Sequence, residues 1–112
     1  MFSPVSKTFF CLLFLLSSIA AWAGETHWID VRSADEYQGG HVEGAVNIPH
    51  TEIAERISEV TENRDAQLYL YCRSGRRSGI ARDVLIEMGF TGVENVGGFD
   101  DAQKKATQLK TP

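Results

Sequence analysis

The stretch between residues 67 and 88 limits the possible folds more than any other part of this sequence. A short apolar run rich in leucine and tyrosine precedes Cys72 and predicts a buried strand. Farther along, apolar residues recur at helical spacing and predict one stripe on a helix: Ile80, Val84, Leu85 and Met88. The order of strand, loop and helix therefore places Cys72 at a strand end, beside the beginning of a helix.

The loop between this strand and helix is basic and contains a glycine. After Cys72 it reads Arg-Ser-Gly-Arg-Arg-Ser, which puts three arginines close to one thiol. The first N–H groups of a helix have no intrahelical partner and lie at the positive end of its dipole. Such surroundings lower the pKa of a cysteine from about 8.5 to roughly 3.5–7.5. The pattern predicts a thiolate beside an anion site. The alternative is an inert buried cysteine, which would not need three arginines beside it.

Residues 1–23 have the pattern of a secretory signal. Lys7 is their only charge, an apolar run extends over residues 9–16, and small residues lead to an A-x-A sequence ending at Ala23. The apolar run is shorter than the about 20 residues that a membrane-spanning helix needs. We therefore predict cleavage after Ala23, with an uncleaved anchor as the alternative. Cleavage predicts an exported protein without a membrane anchor, in the periplasm of a Gram-negative bacterium.

Cleavage changes the composition that has to be explained. Removing 23 of the 112 residues leaves 89, which suits one domain covering residues 24–112. It also leaves 10 basic and 15 acidic residues, a net charge of −5 that argues against nucleic acid as a partner. The basic loop is then a local exception, which indicates a small anionic substrate. Cys72 is the only cysteine left, and the three histidines have no metal-site spacing, so we expect no disulfide and no metal.

Strand and helix patterns alternate along the rest of the chain. This order predicts an α/β fold whose central, mainly parallel sheet has helices on both faces and binds ligands at the carboxyl ends of its strands. We expect a capping box at Ser33 and Glu36 to begin the first helix, and a frayed tail over 107–112. The predicted strands are 26–31, 45–48, 67–72 and 93–96, and the other predicted helices cover 51–60, the segment to Met88 and a segment from Phe99.

Four ordered segments resemble the single-domain rhodaneses, and among them the exported type. They span nearly all of residues 26–102: 28–32 (WIDVR), 36–49 (EY and GHVEGAVNIP), 72–78 (CRSGRRS) and 88–98 (MGF and VENVGG). One departure follows the Gly97-Gly98 pair, where many members of that family carry a tryptophan and this chain has residues 101–103 as Asp-Ala-Gln. The departure concerns the packing of the last helix.

The resemblance implies a sulfurtransferase with a rhodanese-like fold. In such enzymes the active-site cysteine, here Cys72, takes the outer sulfur of thiosulfate as a persulfide and passes it to cyanide or a thiol, with no further cofactor. The resemblance also implies that the loop binds the substrate through its N–H groups and arginines. The substrate-binding residues would be Arg73, Ser74, Gly75, Arg76 and Arg77. We further expect Asp30 and Ser78 to support the loop.

Two other functions fit parts of the pattern. Cysteine-dependent phosphatases and arsenate reductases have a C-x5-R loop, whereas Cys72 and Arg77 are spaced as C-x4-R, a tighter loop that suits a single sulfur better than a tetrahedral oxyanion. A persulfide carrier or a binding domain without turnover is the second alternative. The intact cysteine argues against a binding domain that has lost its chemistry.

A few residues outside the loop call for a role. Asp30 lies at the carboxyl end of another strand, so we expect it near the loop in an ion pair with Arg77, with a solvated surface role as the alternative. His41 lies in a turn before a strand, which favours a structural role over a catalytic one. Trp28 and Phe99 are predicted to be packing residues, with Phe99 at the rim of the pocket.

Overall fold

The computed structural model describes residues 24–110, so the predicted signal segment and its cleavage site after Ala23 lie outside the described residues. Four parallel strands form one sheet in the order β2-β1-β3-β4. Its strands are β1 (Thr26–Asp30), β2 (Val46–Asn47), β3 (Gln67–Tyr71) and β4 (Gly92–Gly97). The predicted parallel α/β fold is confirmed, with shorter strands at β1 and β2 than the sequence pattern indicates.

Helices connect the strands. They are α1 (Ala34–Gln38), α2 (Ile53–Arg56), α3 (Arg76–Glu87) and α4 (Phe99–Lys110). The capping box is present at the start of α1, where the Glu36 N–H donates to the Ser33 hydroxyl and the Glu36 carboxylate accepts from the Ser33 N–H. The single helix predicted over 51–60 is instead a short α-helix between two 3₁₀ turns, in a segment whose β-branched residues disfavour a long helix.

The last helix is longer than the sequence pattern indicates. α4 continues to Lys110, so residues 107–110 of the predicted tail are helical. Within this part the Thr107 hydroxyl donates to the Gln103 carbonyl, and Lys110 lies 3.4 Å from Glu43. These contacts extend the helix past the point where its apolar pattern stops.

Alternate side chains of β3 point to opposite faces of the sheet. On one face Leu68 and Leu70 are completely buried in a cluster with Ala81 and Leu85 of α3. On the other face Tyr71 is buried in a second cluster that contains residues of α4. Helices therefore cover both faces, as predicted.

The departure after the glycine pair leaves the last helix well packed. Ala102 has no exposed surface and packs with Tyr71, Val42 and Ala45 in the second cluster. Phe99 stacks on Tyr71 with 5.9 Å between the ring centroids. Trp28 is also partly buried against this cluster, which confirms its predicted packing role.

The predicted apolar stripe of α3 is wrong at one position. Ile80 is 44% exposed, and the face that reaches the core carries Ser78, Ala81 and Leu85. Ser78 contacts the Cys72 sulfur, so the loop fixes the rotation of the helix. Residues three and seven positions beyond Ser78 then share its face, and Ile80 turns toward solvent. None of the helices within residues 24–110 is long and apolar enough to cross a membrane.

Candidate active site

The ends of β1 and β3 bring the candidate residues together. Asp30 and Tyr71 are register partners at the carboxyl ends of these two strands, and Cys72 comes directly after Tyr71. The Cys72 N–H donates to the Gly97 carbonyl at 3.0 Å, which ties the start of the loop to β4. The cysteine therefore lies at the sheet edge where parallel α/β folds bind their ligands.

Glycines let two backbone segments approach each other here. Gly75 has φ +96° and directly precedes α3, and a Cβ on it would lie 3.3 Å from the Gly97 Cα. A Cβ on Gly98 would lie 2.6 Å from the Arg73 carbonyl oxygen, closer than side chains tolerate. Gly97 and Gly98 therefore have a backbone role here, because the loop packs directly on them.

The Cys72 sulfur accepts hydrogen bonds from the loop and from α3. The Gly75 N–H lies 3.0 Å from Sγ and the Ser78 hydroxyl 3.4 Å. Burial is the largest influence on this thiol and raises its pKa. It is outweighed by the Ser78 hydroxyl and N–H and by the N–H groups of Ser74 and Gly75, so the pKa falls to about 7. The donors that favour the thiolate are therefore part of the fold.

Cys72 has no exposed surface, while Arg73 and Ser74 beside it are exposed. Burial alone would fit the inert cysteine that the sequence left as an alternative, but an inert buried thiol has a raised pKa and not a lowered one. A reactant touches the sulfur only after part of the loop or its side chains moves. The reactive interpretation therefore requires an opening motion at a site whose charge is already arranged.

The three loop arginines have different surroundings. Arg77 pairs with Glu36 through two hydrogen bonds of 2.8 and 3.1 Å, which lowers the pKa of that carboxyl to about 2. The pKa of Arg77 is raised, mainly by Glu36 and further by the Cys72 sulfur. Arg73 and Arg76 are exposed and form no ion pair within residues 24–110. They are therefore the arginines available to a ligand.

The predicted ion pair between Asp30 and Arg77 is wrong. Asp30 is completely buried and instead binds Arg32, with 2.7 Å between Oδ2 and the guanidinium Nη2. The Arg32 Nε and backbone N–H also donate to the same carboxylate. Asp30 and Arg32 are only two residues apart, so a local turn of the chain brings them together. Arg77 instead reaches the Glu36 carboxylate on α1. Asp30 therefore supports Arg32 and not the loop directly.

A cavity of about 560 Å³ lies beside the loop. Arg73 and Phe99 both contribute to its lining. The cavity is lined by Arg32, Asp35, Glu36, Gly39, Gly40, Arg73, Phe99 and Asp100. The lining includes Arg32 after the end of β1 and, from the cysteine loop, Arg73 but not Cys72.

Two residues of this site were missed in the sequence. Glu36 was assigned only to the capping box, and its contact with Arg77 joins positions 41 residues apart, which no local pattern reveals. Asn95 lies among β4 residues and contacts both Ser78 and Gly75. His41 stacks on the Tyr37 ring, and its Nδ1 lies 2.9 Å from the Tyr37 carbonyl oxygen, which supports the structural role predicted for it.

The arrangement can stabilise negative charge on one sulfur and hold an anion near it. Fixed N–H and O–H donors stabilise such charge without reorganisation, which is the usual basis of electrostatic catalysis. Within the described range 24–110, no group of three or more histidine, cysteine, aspartate or glutamate side chains could hold a metal ion. A sulfur with a lowered pKa in such surroundings is suited to nucleophilic chemistry.

Fold and site together define a class of protein: a parallel α/β domain in which a cysteine loop at a strand end begins a helix. The sequence model of the rhodanese-like domain family matches residues 17–105, and the chain belongs to this family. The predicted rhodanese-like fold is confirmed by this match.

Individual relatives agree with the family. The chain is 47% identical to thiosulfate sulfurtransferase PspE of Escherichia coli over 89 residues, which cover 80% of this chain and 85% of that protein. A solved structure of a rhodanese with anions from E. coli has a TM-score of 0.66 and 49% identity, and covers 68% of this chain and 89% of its own. The putative sulfur carrier protein YrkF of Bacillus subtilis is 41% identical over 68 residues, 61% of this chain and 36% of that protein.

Proposed function

We propose that this chain is a thiosulfate sulfurtransferase that carries sulfur as a persulfide on Cys72. The observation that carries the proposal is the environment of the Cys72 sulfur, where the Gly75 N–H at 3.0 Å and the Ser78 hydroxyl at 3.4 Å accompany a pKa of about 7. About half of such a thiol is ionised at neutral pH. The similarity to a protein named thiosulfate sulfurtransferase supports thiosulfate as the donor.

The first step charges the cysteine. The Cys72 thiolate attacks the outer sulfur of thiosulfate, a new S–S bond forms, the S–S bond of thiosulfate breaks, and sulfite leaves with the bonding electron pair. The total charge of −3 is conserved, because the persulfide carries −1 and sulfite −2. No general base is needed, since the thiol is already partly ionised.

The second step returns the enzyme to its first state. Cyanide or a thiolate attacks the outer sulfur of the persulfide. The S–S bond between that sulfur and the Cys72 Sγ breaks, and Cys72 recovers its negative charge. Thiocyanate or a new persulfide is the product. The N–H groups of residues 73–77 stabilise the persulfide as they stabilise the thiolate, because each form places one negative charge on a sulfur atom within the same loop.

The exposed arginines attract the donor. Arg73 lies on the cavity wall and Arg76 is exposed at the first position of α3. Both remain free to meet a dianion, whereas Arg77 is held by Glu36. We therefore assign the capture of thiosulfate and the release of sulfite to Arg73 and Arg76, with Arg77 as the cation that stays near the sulfur.

Mass spectrometry tests the covalent step. Treating residues 24–112 with thiosulfate should add one sulfur atom to the peptide that contains Cys72, and cyanide should remove it. A Cys72→Ala variant should gain no sulfur and form no thiocyanate. Full activity of that variant, or sulfur found on another residue, would overturn the proposal.

A persulfide carrier is the second candidate. The similarity to the putative sulfur carrier protein YrkF favours it. An enzyme forms many equivalents of thiocyanate with thiosulfate and cyanide in excess. A carrier that cannot be recharged by thiosulfate transfers one equivalent per chain and stops. Counting product per chain separates the two.

Export belongs to the same proposal. Residues 1–23 support it by their single lysine, apolar run and A-x-A ending. N-terminal sequencing of the protein recovered from the periplasm of a Gram-negative host should give Gly24 as the first residue. Met1 or Phe2 at that position would contradict cleavage.

A further inference from the structure

Asn95 has more contacts with the cysteine loop than any role in the sheet requires. It lies on β4, half-buried, and its side-chain amide reaches across to the loop and to α3. Its Nδ2 donates to the Gly75 carbonyl at 2.9 Å, and its Oδ1 lies 2.6 Å from the Ser78 hydroxyl. Gly75 and Ser78 both donate to the Cys72 sulfur, Gly75 from the loop and Ser78 from the helix.

The neighbours of Asn95 fix which way its amide points. The Gly97 N–H donates to Oδ1 at 3.0 Å, and the Gly75 carbonyl accepts from Nδ2 on the other side. Turning the amide over would place two donors against each other at Gly97 and two acceptors against each other at Gly75. Oδ1 therefore faces Ser78, and Ser78 is the donor of that pair.

The Ser78 hydroxyl has one proton and two acceptors within reach, the Asn95 Oδ1 at 2.6 Å and the Cys72 sulfur at 3.4 Å. Because Oδ1 also accepts from Gly97, Asn95 keeps a hydrogen bond when the Ser78 proton turns to a charged sulfur. While the sulfur is uncharged, Asn95 therefore holds the serine oxygen beside it. When the serine proton turns to the thiolate, the Gly97 N–H keeps the Asn95 Oδ1 satisfied.

We propose that Asn95 is a positioning residue for the Cys72 thiolate, which holds Gly75 and Ser78 so that their N–H and O–H groups meet the sulfur. Asn95 acts through these two residues and does not itself touch the sulfur. The proposal concerns the nucleophile of the proposed reaction and so rests on that function. The test measures only the ionisation of the Cys72 thiol, so the Asn95 proposal can fail while the proposed sulfurtransferase function remains valid.

The test is the pH dependence of Cys72 alkylation by iodoacetamide. An uncharged replacement, Asn95→Leu, removes the amide without adding a charge to the site. We expect the midpoint of the titration to rise by about one pH unit and alkylation at pH 6 to slow about tenfold, while the rate at high pH is unchanged. Asn95→Ala should shift the midpoint in the same direction and decides the question if the leucine variant does not fold.

Asn47 is the matched control. Its amide is also partly buried and donates to two backbone carbonyls, those of Asp30 and Arg32, each at 3.0 Å. Asn47→Ala should reduce the free energy of unfolding and leave the alkylation midpoint unchanged. Folded Asn95 variants that titrate at the parent midpoint would overturn the proposal. An equal shift in Asn47→Ala would also overturn it, because the effect would then be a general loosening of the fold.

A double variant adds a second readout. If Asn95 acts partly through Ser78, the midpoint shift caused by Asn95→Leu must be smaller when Ser78 is already alanine. Equal shifts in both backgrounds would remove Ser78 from the proposal and contradict it as stated.

Discussion

The adjacent strands β1 and β3 end at the same edge of the sheet, but the charges at their ends are held in different ways. At the end of β1, Asp30 and Arg32 form a buried pair 2.7 Å apart, and Arg32 also donates to the Gly40 carbonyl. At the end of β3, the Cys72 sulfur accepts hydrogen bonds from the Gly75 N–H and the Ser78 hydroxyl, and the nearby cation Arg77 is paired with Glu36 instead.

The difference separates a structural charge from a chemical one. In a closed ion pair each partner neutralises the charge of the other. A ring of backbone donors carries no net charge of its own, so it can accept a thiolate, a persulfide or an anion in turn. The end of β1 should therefore govern stability and the end of β3 reactivity.

Replacing the nucleophile should have the largest effect. Cys72→Ala should reduce thiosulfate–cyanide turnover by on the order of 10³-fold or more, because the covalent step has no other acceptor. The free energy of unfolding should change far less, since alanine fits the buried position. Measurement of thiocyanate formation and of denaturant unfolding on the same sample checks both. A variant that keeps its activity would place the chemistry elsewhere.

Breaking the Asp30–Arg32 pair at the end of β1 should reduce stability and leave the reactivity of Cys72 unchanged. Asp30→Ala leaves Arg32 buried and unpaired, so we expect a loss of about 3–5 kcal/mol of unfolding free energy with the alkylation midpoint of Cys72 unchanged. Asp83→Ala is the control, because its pair with Arg82 is exposed and should contribute less than about 1 kcal/mol. Equal losses in the two variants would remove the distinction between a closed and an open pair.

Filling the space under the loop should affect both properties. In Gly98→Ala the new Cβ would meet the Arg73 carbonyl at 2.6 Å, so the loop must shift. We expect about 1–3 kcal/mol of destabilisation and slower alkylation of Cys72. Gly39→Ala has a Cβ no closer than 3.5 Å to another atom and a φ of −73°, so it should be tolerated. Denaturant unfolding and alkylation at pH 6 measure the two effects.

Removing one donor should change reactivity more than stability. Ser78→Ala deletes the hydroxyl that lies 3.4 Å from the sulfur and contributes to its lowered pKa. A hydrogen bond to a charged group contributes about 1.5 kcal/mol or somewhat less when it is long, so alkylation at pH 6 should slow roughly fivefold. The rate at pH 10 should match that of the parent. An unchanged rate at pH 6 would show that the backbone donors suffice.

The smallest effect is expected at Glu36. The pKa of its carboxyl is about 2 in the fold because Arg77 donates to it, so Glu36 stabilises the fold above its ordinary pKa of 4.5. That stabilisation is lost as the pH falls toward 2. Glu36→Gln should therefore cost less than about 1 kcal/mol at pH 7, because the pair is partly exposed, and the difference from the parent should shrink at pH 3. A constant difference at both pH values would contradict this assignment.

Local patterns in the sequence predict what local physics determines. The alternation of strands and helices, the capping box at Ser33 and the position of Cys72 after a strand depend on residues close together in the chain. The identity of each ion pair does not. Arg77 meets Glu36 across 41 positions, and Asp30 turns back to Arg32, because the packing of α1 beside the loop decides which carboxylate each arginine reaches.

The rotation of α3 shows the same limit. Apolar residues at helical spacing indicated a stripe that included Ile80, and the loop geometry instead selected the face of Ser78 and Ala81. The contact between Ser78 and Cys72 sets the rotation of the helix, and the spacing of apolar residues does not predict that contact. Asn95 was missed for a related reason, since no sequence pattern predicts that an asparagine in a strand will form hydrogen bonds with Gly75 and Ser78.

The central claim is that the fold itself keeps the Cys72 sulfur ionised near neutral pH. The rate of Cys72 alkylation between pH 5 and 10, measured on residues 24–112, tests it most directly. The predicted rate rises with pH to a plateau with a midpoint of about 7. A midpoint at the ordinary cysteine value of about 8.5, or no alkylation until the protein unfolds, would contradict the account.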